Sequence, residues 1–449
     1  MSRTKVVLIG FLALLLIALP LLGACGEKEV VKEVVKEVPV EKIVEKEVIK
    51  EVPVKPEFKG EIHVAYLPWV TGPAAEYNPI TWGFLDYFHD VNDRGGINGA
   101  KVMVHWVDTA YDTAKVVAGY SRFTKEFPVV AVCVAPTGGH LALMPRYEED
   151  KIPGIGTGGT AVEVWPVKPW VFGFLPTYGD LARALMKYAL EQWKGPEPPK
   201  VGIAYSPNPY GESCIKPLEK YGEEKGYTVV TKQELPFGAL DATSQALALK
   251  KAGANVVFIQ SSMASNGVLC RDMERQGLKP KMMLSSPQSI DAAIHGIAKG
   301  ADEGLIAASW FLVWPQDLDN PAVKYWRDKA VEYNSGGIKS ADDPYNSMWY
   351  FLGVQWATIP HAGIAEAVKK VGVEKLTGEA VRDGLERATG WTVPPFGSEN
   401  IVPPLAISPD DHRSYHSTGL MQVKNGEWVR LVNWIECPPV PDWEKTGGK

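Results

Sequence analysis

Short apolar runs alternate with longer amphipathic segments along most of this 449-residue chain, which is typical of α/β proteins. The first such unit begins with an apolar run at residues 62–67, which predicts a strand. A Gly72-Pro73 turn follows, and then a segment whose aromatic residues cluster on one helical face. Gly95-Gly96 predicts the end of this helix, and residues 101–107 predict the next strand. In open α/β sheets, the turn after such a strand lies at the edge where ligands bind.

The rest of the chain repeats this unit in two blocks. Further strands are predicted at residues 129–134, 152–155, 200–205, 227–234, 255–260, 281–285, 304–309, 419–423 and 428–434. Helices are predicted at residues 113–127, 141–150, 180–193 and 266–276, before Gly226 and Gly253, and within a helical stretch at 321–390. The fold class is therefore α/β, with two doubly wound, Rossmann-like lobes. A hinge with three crossings, near Pro176, Trp310 and Pro403, is expected to join the lobes.

The N-terminus has the pattern of a secretory signal, because Arg3 and Lys5 precede an apolar run at residues 6–22. A signal anchor is the alternative, although the run is short and contains a proline. Leu22-Gly23-Ala24-Cys25 resembles a bacterial lipobox, which implies cleavage before Cys25 and lipidation of this cysteine. The alternative is a lone cysteine beside an ordinary cleavage site. Valine and charged residues alternate irregularly in residues 27–56, which favours a solvated tether over a short coiled coil.

These features divide the chain into a signal peptide, a lipid-anchored tether and two lobes. The predicted boundaries are 1–24 for the signal peptide, 25–57 for the tether, 58–178 and 310–402 for lobe 1, and 179–309 and 403–449 for lobe 2.

Composition and motifs exclude several functions. The net charge is −6 and the folded part has no basic stripe, so nucleic acid is not an expected partner. We expect no enzyme, cofactor or metal site, because recognised catalytic motifs and Cys/His metal spacings are absent from the sequence. The GxGxxG match at residues 154–159 is followed by Trp165 and Pro166, without a good helix for a dinucleotide site. Four cysteines remain besides Cys25, namely Cys133, Cys214, Cys270 and Cys437. They allow three complete disulfide pairings, and the alternative is that all are buried free thiols.

Six motifs occur in a characteristic order: TGPAAEY (71–77), NDRGGINGAKV (92–102), APTGGHLALMP (135–145), IPGIGTGGTA (152–161), NPYGES (208–213) and GANVVFI (253–259). From about Glu61 to the C-terminal strands, the chain resembles type I periplasmic-binding-fold proteins. It is most similar to the leucine/isoleucine/valine-binding group of ABC-transporter substrate-binding lipoproteins. The resemblance implies a monomeric, membrane-anchored, extracytoplasmic lipoprotein of the bacterial cell envelope that delivers a small solute to an ABC permease and ATPase. A ligand-sensing lipoprotein that serves a receptor or signalling partner is the alternative.

The resemblance also implies ligand-binding positions in loops at one sheet edge. They are Tyr77, Thr137, Gly138, Gly158, Thr160, Tyr210, Ser262 and Gln288. At the start of a helix, the Thr137 hydroxyl and the N–H groups after it could receive a carboxylate. Each position also has a structural alternative, such as a helix cap, a turn residue or packing at the hinge.

Two departures from the family concern the ligand. Gln288 stands where amino-acid-binding members have an acid for the ligand ammonium, and Gly173 stands where relatives often have an arginine. A glutamine cannot supply a negative charge. Trp69, Trp310 and the two site tyrosines favour an aromatic or apolar ligand body. We therefore expect a small organic acid, amide or aromatic compound in preference to a free α-amino acid, with Glu163 or Asp291 as the alternative source of an anion.

Overall fold

The computed structural model describes residues 56–157, 159–310, 320–337, 348–392 and 403–447. They belong to the second of the two units into which the chain divides, Lys55–Lys449. The predicted signal peptide, nearly all of the predicted tether, Cys25 and Gly158 lie outside the described residues. Among the residues described, no helix combines the length and the hydropathy that a membrane span requires.

The first sheet is entirely parallel and has the strand order β2-β1-β3-β4-β5. Its central strand, VVAVCV, is buried at every position, because helices cover both faces of a parallel sheet. The strands are β1 (Glu61–Leu67), β2 (Lys101–Trp106), β3 (Val129–Val134), β4 (Gly154–Gly156) and β5 (Val171–Gly173).

Helices cover the two faces of this sheet and connect its strands. The connecting helices are α1 (Pro79–Asp93), α2 (Thr113–Glu126), α3 (Thr137–Asp150) and α4 (Ala161–Val164). Three later helices follow the second block: α11 (Pro321–Tyr333), α12 (Met348–Val371) and α13 (Gly378–Leu385). Helices α1 and α12 approach each other closely at Gly83 and Gly353. A Cβ on Gly83 would lie 1.9 Å from the Tyr350 carbonyl oxygen, and a Cβ on Gly353 would lie 2.0 Å from that of Ile80.

The second sheet is mixed, with the order β12-β11-β10-β9-β8-β6-β7. Strands β6 to β10 are parallel, and β11 runs antiparallel to both β10 and β12. The strands are β6 (Lys200–Tyr205), β7 (Thr228–Glu234), β8 (Val256–Gln260), β9 (Met282–Ser285), β10 (Ile306–Ser309), β11 (Ser417–Lys424) and β12 (Glu427–Glu436). The associated helices are α5 (Tyr178–Gln192), α6 (Pro209–Glu212), α7 (Ile215–Lys225), α8 (Thr243–Lys251), α9 (Met263–Arg275), α10 (Ala293–Ala298) and α14 (Asp442–Lys445).

The two sheets with interleaved helices confirm the predicted fold class. The segment after residue 403 was assigned to the second lobe, but part of it extends the first sheet. Arg413 forms a parallel bridge with Gly173 of β5, and the N–H of Ser414 donates to the Gly173 carbonyl oxygen at 2.8 Å. The chain enters the second sheet only at Ser417. The segment thus makes a bridge to the first sheet before it enters the second, and the position of the third crossing stays a prediction.

All four cysteines of the folded part are free and buried: Cys133, Cys214, Cys270 and Cys437. Burial raises the pKa of each thiol, since the charged thiolate is poorly solvated inside the protein. In this structure none of the three disulfide pairings that the sequence allows is formed.

Candidate ligand-binding site

A cavity lies where loops from both sheets meet. Its residues come mainly from the loops after the carboxyl ends of the parallel strands, the edge at which α/β sheets bind ligands. The space between its atoms is about 490 Å³, counting its opening to solvent.

Aromatic rings form most of the wall. They stack edge-on against one another, with ring centroids 4.6 Å apart for Tyr77 and Trp349 and 4.8 Å apart for Tyr178 and Tyr210. The aromatic lining residues are Trp69, Tyr77, Tyr111, Tyr178, Tyr210, Phe237, Trp310 and Trp349. The others are Ala74, Ile80, Ala135, Thr137, Thr157, Leu175, Gln288 and Leu352. Among these described residues there is no charged side chain, so the wall favours an apolar body.

A few polar atoms in this wall have no hydrogen-bond partner of ordinary geometry among the residues that the structure describes. They are the indole Nε1 of Trp69, the indole Nε1 of Trp310, the Thr157 hydroxyl oxygen and the Gln288 carbonyl oxygen Oε1. Burial raises the pKa of Tyr178, and the Thr157 and Gln288 side chains lie near enough to its hydroxyl to lower that pKa by weak hydrogen bonding, although neither oxygen makes a hydrogen bond of ordinary geometry. Leaving a buried polar group unpaired costs about 1–3 kcal/mol. A ligand with oxygen atoms could pair with the two indole donors and the Thr157 hydroxyl.

Tyr77, Thr137, Tyr210 and Gln288 were predicted from the sequence, and the structure brings them together around this cavity. The Tyr210 hydroxyl donates to the Ser261 carbonyl oxygen at 3.2 Å and lies 2.8 Å from the Ser286 hydroxyl. Burial raises the pKa of Tyr210, which keeps the phenol neutral. Thr137 is the first residue of helix α3, so the N-terminus of this helix, with its unpaired backbone N–H groups, begins at the cavity wall.

Three other predicted positions lie outside the cavity wall. The Thr160 hydroxyl donates to Glu163 at 2.9 Å, and the Thr160 N–H donates to the same carboxylate at 2.5 Å, which forms a capping box at the start of α4. The Ser262 hydroxyl caps α9 by accepting from the N–H of Ser265. Gly138 faces a separate outer pocket. Direct contact of these residues with a ligand stays a prediction, and Gly158 lies beyond the described residues.

The acids that might have replaced Gln288 also have other partners. The Glu163 carboxylate lies 2.7 Å from Nδ1 of His140, and both side chains are fully buried. Asp291 accepts from the N–H of Ala293 at 2.9 Å, and burial raises its pKa. Neither residue lines the cavity. The described wall therefore offers no anion for a ligand ammonium.

Sequence reasoning missed a contact that crosses the cleft. In a short 3-10 helix after β1, the Glu76 carboxylate accepts from the N–H of Met263, the first residue of α9, at 2.9 Å. The Tyr77 hydroxyl accepts from the same N–H at 2.7 Å. Burial raises the pKa of Glu76, against the hydrogen bonds from Tyr77 and Met263 that lower it. The only indication of this contact in the sequence was that Glu76 directly precedes Tyr77, a predicted site residue.

Two α/β lobes with a cavity between their loop edges define a two-lobed solute-binding protein of the type I periplasmic binding fold. The profile of the Periplasmic binding protein family matches residues 61–427, and the chain belongs to this family. The predicted family, fold and solute-binding class are thereby confirmed. Among the described residues, no group of three or more His, Cys, Asp or Glu side chains is arranged to hold a metal ion.

Individual relatives support the same assignment. Leu/Ile/Val-binding protein homolog 1 of Brucella abortus (strain 2308) is 25% identical over 269 residues, which cover 59% of this chain and 70% of the relative. A branched chain amino acid ABC transporter from Thermus thermophilus with bound valine superposes with a TM-score of 0.74 at 20% identity, covering 84% of this chain and 96% of that one. A fatty acid ABC transporter substrate-binding protein from Thermomonospora curvata superposes with a TM-score of 0.71 at 20% identity. The superposition covers 87% of this chain and 95% of that one. At this identity, the two structures show the fold alone.

Proposed function

We propose that this protein is the extracytoplasmic solute-binding component of an ABC importer, and that its solute is a small aromatic or apolar compound with an acid or amide group. The observation that carries the ligand class is the cavity wall: eight aromatic rings, unpaired indole donors and no charged side chain among the described residues. Membrane attachment through Cys25 and delivery to a permease and ATPase complete the proposal.

The acid or amide group is assigned to the polar part of the wall. Trp69 and Trp310 offer indole N–H donors, and Thr157 offers a hydroxyl. The N-terminus of α3 adds partial positive charge, which stabilises a carboxylate without a full cation. The remaining aromatic and aliphatic surface would bury the body of the ligand.

A branched-chain amino acid is the second candidate, because the names of relatives carry that specificity. A free amino acid would bring its ammonium group into a wall without a paired acid. An unpaired buried charge is costly, so the geometry favours the first candidate.

Calorimetry can test the two candidates directly. Purified protein, after unfolding and refolding to remove bound solute, would be titrated with benzoate, benzamide, leucine, valine and phenylalanine. We expect benzoate or benzamide to bind and the amino acids not to bind. Micromolar binding of any of the three amino acids would contradict the proposed ligand class.

One substitution tests the indole donors. Trp310→Phe keeps an aromatic ring but removes the N–H, and it should weaken binding of the aryl probe roughly tenfold if that donor meets the ligand. Trp193→Phe is the matched control, because the Trp193 indole donates to the Glu197 carbonyl oxygen at 2.9 Å, away from the cavity wall. Equal affinities of the two variants would show that Trp310 does not donate to the ligand.

A further inference from the structure

A second pocket lies outside the cavity and is also formed by both lobes. The space between its atoms is about 810 Å³, counting its opening to solvent, and we call it the vestibule. Half of its ten lining residues are prolines: Pro73, Pro136, Pro207, Pro209 and Pro236. No charged side chain lies among its described lining residues. Its surface is therefore suited to an apolar group.

Tyr111 and Phe237 line both the cavity and the vestibule. Tyr111 follows β2 in the first lobe and Phe237 follows β7 in the second, and their ring centroids are 5.8 Å apart. Both side chains are half-buried. The two rings thus form a partition between the inner and the outer compartment, and each lobe contributes one of them.

The loop that carries Tyr111 is firmly held. The Asp108 carboxylate accepts from the N–H of Val70 at 2.8 Å, from the Thr71 hydroxyl at 2.6 Å and from the N–H of Ala110 at 2.9 Å. Ala110 and Tyr111 both have positive φ angles, 49° and 62°, which non-glycine residues adopt only when their surroundings require it. This side of the partition is therefore fixed.

The loop that carries Phe237 is more open. Pro236, Gly238 and Leu240 around it are exposed, and the Leu240 side chain is 87% accessible. The backbone of this loop is held on both sides of Phe237. The Ser265 hydroxyl accepts from the N–H of Ala239 at 3.1 Å and donates to the Pro236 carbonyl oxygen at 2.7 Å. Ser261 and Arg271 donate to the carbonyl oxygens of Leu235 and Leu240 at 2.6 and 3.1 Å. Phe237 would therefore move aside by rotation of its half-buried side chain, without a change in the backbone.

We propose that the ligand site has two compartments, with Phe237 as a movable partition, and that it accepts an aryl acid or amide with an apolar tail. The aryl group and its oxygen atoms occupy the cavity, and the tail passes Phe237 into the vestibule. This inference rests on the proposed function and adds to it an apolar tail as a second part of the solute.

A series of 4-alkylbenzoates, from 4-methyl to 4-octyl, tests this arrangement. Binding is measured by calorimetry and by quenching of tryptophan fluorescence, since three tryptophans line the cavity. Each methylene that enters the vestibule should improve affinity by two- to fourfold, the upper value being that for complete transfer from water. Short 4-alkylbenzoates should bind more tightly because the Phe237 ring covers them, whereas long ones have to displace this ring.

Phe237→Ala removes the partition. It should weaken binding of 4-methylbenzoate at least fivefold and leave 4-octylbenzoate unchanged or tighter, so that the ratio of the two dissociation constants shifts by fivefold or more. Phe237→Leu keeps an apolar cover and should lie close to the wild type. Leu247→Ala, an exposed truncation on helix α8 of the same lobe, is the control and should change neither constant.

Two outcomes would overturn the proposal. If short acids bind but the length ratio is the same in the wild type and in Phe237→Ala, Phe237 is a simple wall of one compartment; the partition is refuted and the proposed function stands. If no member binds to the wild type, the proposed ligand class itself fails together with the inference.

Discussion

Replacement of Asp180 by asparagine should destabilise the protein strongly, because this buried carboxylate joins three segments near the hinge. Asp180 lies in the first turn of α5, where the chain has just left the first sheet. It accepts from Arg183 at 2.6 Å, from Arg413 at 2.8 Å and from the N–H of Thr177 at 2.8 Å. Arg413 belongs to the segment that extends the first sheet, and Arg183 also donates to Glu444 in the last helix.

The magnitude follows from what the substitution leaves behind. Asp180 is 0% exposed, Arg183 2% and Arg413 7%, so both guanidinium groups would lose a buried anion, although Arg183 keeps Glu444 and Arg413 keeps Asp411 at 2.6 Å. Removing one partner of a buried ion pair costs about 3–5 kcal/mol. Asparagine still accepts one hydrogen bond, so we expect the lower end, about 3 kcal/mol, which raises the unfolding equilibrium constant on the order of a hundredfold.

The effect should also depend on pH. Burial raises the pKa of Asp180, but the charges of Arg413 and Arg183 and their hydrogen bonds outweigh this, so that the pKa lies below its usual range. A lowered pKa in the folded state contributes stability above the unfolded pKa, about 3.9, and this stability is lost as the pH falls through the folded pKa. The difference between wild type and Asp180→Asn should be constant from pH 5 to 7.5 and narrow below about pH 4.

Urea unfolding followed by tryptophan fluorescence measures this difference. The control is Glu149→Gln, which removes the same charge from a side chain that is 67% exposed and lies 3.6 Å from Arg146. Exposed pairs contribute about 0–1 kcal/mol, so this variant should resemble the wild type. A loss below about 1 kcal/mol for Asp180→Asn would refute the reasoning, since it would mean that the two arginines find other partners or water.

Three further predictions concern packing, closure and anchoring. Gly83→Ala should destabilise the protein by several kcal/mol, since its Cβ would lie 1.9 Å from a carbonyl oxygen of α12, whereas Gly296→Ala, with open space around it, should be neutral or slightly stabilising in the same urea assay. Burial raises the pKa of Glu76 at the cleft, so the closed form should gain stability as the pH falls toward 5. Small-angle scattering should then show a more compact particle at pH 5 than at pH 7.5, and Glu76→Gln should abolish that difference. Cys25→Ala should release the protein from the membrane fraction without changing its urea midpoint, and membrane retention of the variant would contradict lipidation.

The sequence predicts strands well where the burial pattern is unambiguous. Six consecutive apolar residues mark β3, and its predicted bounds, 129–134, agree with the structure. Strand β5, Val171–Gly173, was missed because the three residues between Trp170 and Phe174 are too few to show a periodicity. Helix α3 begins at Thr137 and not at Leu141, because the glycine pair that suggested a loop lies within its first turn.

Residues of the candidate site could be predicted where each lies in a single loop after a strand. They could not be predicted where the arrangement depends on contact between the two lobes. Tyr77, Thr137 and Gln288 follow parallel strands directly, and strand order alone places such residues at one edge. Thr160 also has the Thr-x-x-Glu spacing to Glu163 that is typical of a capping box, which the structure contains, and its contact with a ligand stays a prediction. The pairing of Tyr111 with Phe237 had no local signal, because it depends on how the lobes approach each other.

The ligand is decided by the wall of the cavity and not by the fold. Folds of this kind serve many ligands, so similarity at low identity leaves the specificity open. An amino-acid site needs a donor set for the carboxylate and an anion for the ammonium, because each buried charge requires a partner. The described wall retains donors at Trp69, Trp310 and Thr157 but has Gln288 where the anion would stand. A site that has donors for a carboxylate, and a neutral amide in place of the anion for an ammonium, is suited to a ligand with one polar end. The aromatic surface of the wall then favours an aromatic or apolar group at the other end of the ligand.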